Sequence, residues 1–162
     1  MVLILDAAPV IFLAKINCLP LLAKLFDADI LIPDAVRDEL FGPEVPPDEE
    51  RLLTAFLISC KIARISKPEI YAKALSFADN SILTLAHKEH ADMILSDDRL
   101  LRKLAVVEGF RVVGALGAVL HAKKKKALTA KKALGLLDQL VEEHNFRIST
   151  RVYETVRKAI VG

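Results

Sequence analysis

Five carboxylates carry the chemistry this sequence can offer. Asp6 follows the apolar run Val2–Leu5 and is followed at once by Ala7, Ala8, Pro9, Val10 and Ile11. Asp97 and Asp98 end the stretch ADMILSDD, Glu39 lies in DAVRDEL, and Asp79 stands ahead of SILTLA. A carboxylate at the edge of an apolar run is costly unless it is paired, solvated or facing a cation. Carboxylates brought together repel, each resists ionising, and a cation relieves both penalties. The cation suited to carboxylate oxygens and water is a hard one, Mg²⁺ or Mn²⁺.

Each acid also has a plainer reading. Asp6 can cap a helix beginning near Pro9, and Asp79 can be an N-cap. Asp97 and Asp98 can simply open the helix RLLRKLA, and Glu39 can face solvent on an amphipathic helix. Spacing alone suggests a metal site and leaves these alternatives open.

The acids need elements to position them. Val2–Leu5 is a short continuous apolar run, the pattern of a strand buried on both faces. Pro9 suits the first turn of a helix, and LPLLAKLF is a second helix from Leu19. Asp29–Pro33 reads as a strand, with Asp34 capping the helix DAVRDEL. FGPEVPPDEE is a loop, after which ERLLTAFLIS is helical behind an acidic first turn. A short strand around KIARI leads to two expected helices, from Pro68 and from about Asp79. ADMILSDD is a strand, RLLRKLAVVE a helix stopped by Gly109, and FRVVGA a strand. The remainder is helical: GAVLHAKKKK, TAKKALGLLDQLVEEH and STRVYETVRKAIV. Strands alternating with helices give an α/β fold, a mainly parallel central sheet flanked by helices. Ligand sites in such sheets form beyond the carboxyl ends of strands, where Asp6 and Asp97–Asp98 fall. If the first and fourth strands are neighbours, the acids converge.

With 53% hydrophobic and 27% charged residues in 162, the chain reads as one globular domain spanning 1–162, with a helical extension from about 125. Charge is divided unevenly. Residues 1–98 hold 9 Lys/Arg against 16 Asp/Glu, and residues 99–162 hold 14 against 5. Such a molecule can offer acids to a metal and a basic surface to a polyanion; two solvated faces explain it equally. Cys18 and Cys60 fit no metal spacing and read as reduced, buried thiols of a cytoplasmic protein. The apolar start, broken by Asp6 and Pro9, is not expected to be a signal peptide. His87 and His90 flank Lys88 and Glu89, but HKEH is not the HExxH zinc pattern.

Four stretches in order carry a resemblance: VLILDAAPVIFLAKI, ILIPDAVRDEL, ADNSILTLAHKEHADMILSDDRLLRKLA and GFRVVGALGAVLHAK. Together they resemble PIN-domain ribonucleases, in particular small prokaryotic toxins of the VapC type. The resemblance implies a PIN-like three-layer fold and hydrolysis of RNA phosphodiesters with Mg²⁺ or Mn²⁺. It aligns the family's acids with Asp6, Glu39, Asp79 and Asp98, the last in a Thr/Ser-x-Asp pattern with Ser96 as the hydroxyl. Asp97 is the neighbouring acid that supplements or replaces Asp98 as a metal ligand. Ala7 and Ala8 stand where many relatives carry Ser or Thr. The resemblance also implies a homodimer and a small antitoxin partner.

RNA approaching an acidic cleft needs cations beside it. Arg99, Arg102 and Lys103 adjoin the Asp pair and are the RNA-binding candidates. Lys123–Lys126 is a further one, although a solvated helix end accounts for it without any ligand. Two other classes of function remain: a PIN-fold RNA-binding module without catalysis, and a regulatory α/β domain whose acids bind Mg²⁺ only.

Overall fold

Leu3, Ile4 and Leu5 are fully buried, which requires a strand covered on both faces. In the computed structural model, which describes residues 1–162, this strand, β1 (Val2–Leu5), is the middle of five. The others are β2 (Asp29–Pro33), β3 (Lys61–Ala63), β4 (Met93–Leu95) and β5 (Arg111–Val113). All pairings are parallel and the order is β3-β2-β1-β4-β5. Nine helices flank the sheet: α1 (Ala7–Lys15), α2 (Leu22–Phe26), α3 (Asp34–Leu40), α4 (Pro47–Ile58), α5 (Phe77–Lys88), α6 (Arg99–Val107), α7 (Ala115–Lys124), α8 (Ala130–Glu142) and α9 (Thr150–Val161).

This topology places the site. From β1 the chain moves outward through β2 to β3, then returns through α5, which packs on β1 and β2, to β4 on the other side of β1. The order therefore reverses between β1 and β4, and a crevice opens at their carboxyl ends. Leu5 is in register with Leu95, and the Asp6 amide donates to the Leu95 carbonyl at 2.9 Å. The residues after Leu5 and after Leu95 are thus forced together.

The expected strands form, and Gly109 ends α6 with φ +92°, a left-handed conformation that glycine adopts at little cost. Four local expectations are corrected. No helix starts at Pro68: residues 64–76 are irregular. Side chains from neighbouring helices take up the amides of that segment. Ile65 N donates to Asp34 Oδ1 at 3.1 Å, Glu69 N to Thr84 Oγ1 at 2.9 Å, and Tyr71 N to Asn80 Oδ1 at 2.9 Å. Asp34 is the first helical residue rather than the cap, and its carboxylate joins its own helix to that segment through Ala35 N and Ile65 N. LPLLAKLF opens as a 3₁₀ turn, Leu19–Leu21, before α2. α4 begins at Pro47, inside the expected loop, because a proline in the first helical turn has no amide to lose.

The C-terminal helices fold back on α7, with Ala133, Leu136, Leu137, Leu140 and Ile160 in the same core of 41 buried residues as the sheet. Both cysteines are free thiols; Cys18 is buried as expected, whereas Cys60, next to the short edge strand β3, is only partly so. No single helix is long and apolar enough to cross a membrane.

Asn80 is 2% exposed, accepts from Tyr71 N and donates to the carbonyls of Leu75 and Ser76. Asn80→Ala should strand the Tyr71 amide and cost about 1–3 kcal/mol in urea unfolding. The Tyr71 amide should then exchange with solvent faster than the amides of α5; equal protection in variant and wild type would contradict this.

Candidate active site

Asp6 lies one residue beyond β1 and is 6% exposed. Both carboxylate oxygens are held. Oδ1 accepts from Ala7 N at 2.8 Å, which caps α1, and Oδ2 accepts from Ser96 Oγ at 2.9 Å. Ser96, one residue beyond β4, is fully buried, and its Oγ also accepts from Asp98 N at 3.1 Å. One hydroxyl therefore joins the two strand ends across the switch point.

Asp79 and Glu39 arrive from the helices. α3 packs on α5, which carries Glu39 toward Asp79. Asp79 is the third residue of α5, not its cap. Ser76 caps the helix, accepting from Asp79 N at 3.1 Å, while Asp79 Oδ2 accepts from Ser76 N at 3.3 Å. This capping box fixes the Asp79 side chain at the helix mouth.

The electrostatics bind Asp6, Glu39 and Asp79 into one group. Burial pushes the Asp6 carboxyl up to about 6, against the lowering effect of the Ser96 and Ala7 hydrogen bonds, and the charges of Asp79 and Glu39 raise it further. Glu39 is largely exposed, yet its carboxyl is also raised, first by partial burial and then by the Asp79 charge. A positive charge placed among these three would reverse each penalty.

The pair Asp97–Asp98 divides. Asp98 is the N-cap of α6, its Oδ1 accepting from Leu101 N at 2.8 Å, and it joins Asp6 through the Ser96 hydroxyl. Asp97 turns to the start of α7, where both of its oxygens accept from Ala115 N at 3.2 Å. Burial raises the Asp97 carboxyl, opposed by the Ala115 hydrogen bond and by the nearby Arg102 charge. Arg102 is held inward, donating from Nη1 to the Ser96 carbonyl at 2.8 Å, whereas Arg99 and Lys103 stay exposed on α6. Asp6, Glu39 and Asp79 thus lie near enough for their charges to be felt at Asp6, Asp98 is attached to Asp6 through the Ser96 hydroxyl, and Asp97 and Arg102 bond within the scaffold beside them. No three His, Cys, Asp or Glu side chains stand close enough to hold a metal ion between them as they are.

Sequence reasoning missed Gly114. A Cβ there would stand 2.2 Å from Asp97 Oδ1 and 3.0 Å from Arg102 Nη1. Its φ of −105° suits any residue, so space rather than backbone conformation demands glycine. Nothing in FRVVGA signals this, because the crowding atoms come from the distant loop after β4 and from α6.

The fold is a five-stranded parallel α/β sheet with acids after β1 and β4 at its switch point. The family described as PIN domain (DUF3368) matches residues 2–161, and the chain belongs to it. No curated protein matches significantly. Among solved structures, a domain of a functionally unknown protein from Methanocaldococcus jannaschii DSM 2661 is 23% identical, with 70% of this chain and 89% of that one covered and a TM-score of 0.47.

Two outcomes test this geometry. The raised Asp6 carboxyl makes the metal-free native state bind more protons than the unfolded chain between pH 3.8 and about 6. Stability from this group is therefore full below pH 3.8 and lost as pH rises through about 6. Asp6→Asn should stabilise the metal-free protein by about 1–3 kcal/mol near pH ~7.5 and show no gain near pH ~3.5, measured by thermal unfolding across pH. Gly114→Ala should cost about 1–3 kcal/mol by displacing Asp97 and Arg102; an unchanged Tm would show that these side chains move aside freely.

Proposed function

We propose that this PIN-domain protein is a metal-dependent endoribonuclease acting in the cytoplasm, and more specifically the toxin of a toxin–antitoxin pair. One observation carries the reading: Asp6 is buried at the switch point with both oxygens held, its carboxyl raised first by that burial and then by the charges of Asp79 and Glu39, a cost that a divalent cation would remove.

The residues fit such an ion by donor chemistry. All are carboxylate oxygens, as Mg²⁺ and Mn²⁺ prefer, and the open arrangement suits an ion that keeps several of its waters. Asp6, Asp79 and Asp98 would hold it. When bound, it supplies charge to the non-bridging phosphate oxygens and acidifies water. Ser96 fixes the Asp6 carboxylate and, by accepting from Asp98 N, the position of Asp98. Glu39, its carboxyl raised, is suited to take the proton from an attacking water. Arg99 and Lys103, exposed on the helix that Asp98 caps, would hold the flanking phosphates. Arg102 supports the Ser96 carbonyl and contributes through that scaffold.

The partner proposals follow the family. A groove of about 690 Å³ runs from Asp98 and Arg102 past Phe12 and Leu116 to Phe146 and Val156, beside the carboxylates. A small antitoxin seated there would cover the site, and a homodimer is the expected assembly.

RNA cleavage measured with Mg²⁺ or Mn²⁺ tests the reading. Cleavage should vanish with EDTA and fall by at least about 100-fold in Asp6→Asn. At limiting metal the rate should rise as pH passes through about 6, since only the ionised Asp6 carboxylate serves the ion. RNA binding without cleavage at any pH would instead favour a PIN-fold binding module that has lost catalysis. The alanines following Asp6 are the observation that keeps that second reading open.

A further inference from the structure

We propose that the edge of the sheet opposite the carboxylates is a second RNA-contacting surface, one that grips the sugar–phosphate backbone of a substrate longer than the bond being cut. This rests on the ribonuclease reading and extends it to a region outside the catalytic group. The carboxylates sit at the carboxyl ends of β1 and β4. At the other ends of the strands, a cavity of about 540 Å³ is bordered by Met1, Met93 and Arg111, where β1, β4 and β5 begin.

Three cations, Lys24, Arg111 and Lys125, line that cavity against a single acid, Asp27. All three are exposed, and none belongs to an ion pair. The back wall is aromatic and fixed: the His121 ring stacks on Phe26 with centroids 4.8 Å apart, and its Nε2 lies 3.0 Å from the Leu25 carbonyl. Lys125 also belongs to the run Lys123–Lys126 at the end of α7, whose side chains form no ion pair with an Asp or Glu; Lys123 Nζ donates to the Gly162 oxygen at 3.4 Å. Lys126 closes that run at φ +61°, with Ala127 N bonded to the Ala122 carbonyl at 2.9 Å. Glycine serves that left-handed position best, and here a fourth lysine occupies it.

Uncompensated cations crowded on one edge repel one another, and a polyanion is the ligand that removes the repulsion. A carboxylate cleft repels RNA until it holds metal, so cations at the opposite edge add affinity beyond what Arg99 and Lys103 supply beside it. Helix α7 links the two edges. It begins beside Asp97 and ends at Lys124, ten residues or about 15 Å away. A strand of several nucleotides can touch both edges, and a dinucleotide cannot.

The test uses the full chain and a labelled single-stranded RNA of about 12 nucleotides, with binding measured in the Asp6→Asn background from about 50 to about 200 mM salt. Combined Lys24→Ala, Arg111→Ala and Lys125→Ala should weaken binding about 10-fold or more and reduce the salt slope by about 2, at about 0.7 for each single-strand phosphate no longer neutralised. The three residues are exposed, so the variant should keep the wild-type circular dichroism and Tm. In the Asp6-containing protein the same triple change should raise KM for this RNA about 10-fold and leave kcat and dinucleotide cleavage unchanged. Removing the exposed Arg51 of α4 instead should alter neither measurement. Wild-type affinity and salt slope in the triple variant would overturn the proposal. So would displacement of the RNA by adenosine monophosphate alone, which would make the occupant a free nucleotide. RNA bound through these residues by a wild-type protein that cleaves nothing would overturn the ribonuclease reading and leave this surface standing.

Discussion

The hydrogen bond from Ser96 Oγ to Asp6 Oδ2 is the interaction on which the site depends. Both groups are buried, and each stands one residue past a strand that register pairing aligns with the other. A buried carboxylate without partners is expensive, and this one has two, a backbone amide and a hydroxyl. Those bonds hold the charge in place without satisfying it, because burial, and after it the charges of Asp79 and Glu39, still act against its ionisation. The protein thus carries an electrostatic cost at the switch point, the arrangement found where a scaffold is built around a ligand.

Around that bond stand side chains whose task is to fix positions. Arg102 holds the Ser96 carbonyl, Asp97 joins the β4 end to the start of α7, and Gly114 leaves room for both. Asn80 and Asp34 fasten residues 64–76 beside the α5 mouth from which Asp79 projects. Metal sites commonly require such support of their surroundings, since a ligand that drifts loses the ion. The family assignment and this geometry agree on a nuclease-like α/β domain.

The division of charge gains a spatial meaning from the fold. The acids of the site gather at the carboxyl edge of the sheet, while Lys24, Arg111 and Lys125 gather at the amino edge. The separation is partial, since Asp27, Asp29 and Asp92 also lie at the amino edge and Arg99 and Lys103 at the carboxyl edge.

Much of this is legible in the residues themselves. The strand runs, the stop at Gly109 and the acids at strand ends follow from local periodicity and local backbone preference, which a chain expresses within a few residues. Asp6 stands out because an acid beside an apolar run has few cheap explanations. Its convergence with the other acids is not legible, because that depends on strand order rather than on spacing. Ser96 and Asp6 lie 90 residues apart in the chain, and only the parallel pairing of their strands makes them bonding partners. The same holds for Asp97 and Asp98, whose different bonding partners no local spacing reveals. The start of α7 and the inward Arg102 claim one, and the cap of α6 claims the other. The irregular run 64–76 is decided in the same way, since its amides bond to side chains of α3 and α5 rather than to each other. Local chemistry in the sequence determined which groups were available. Long-range pairing, which no local window contains, decided which of them meet.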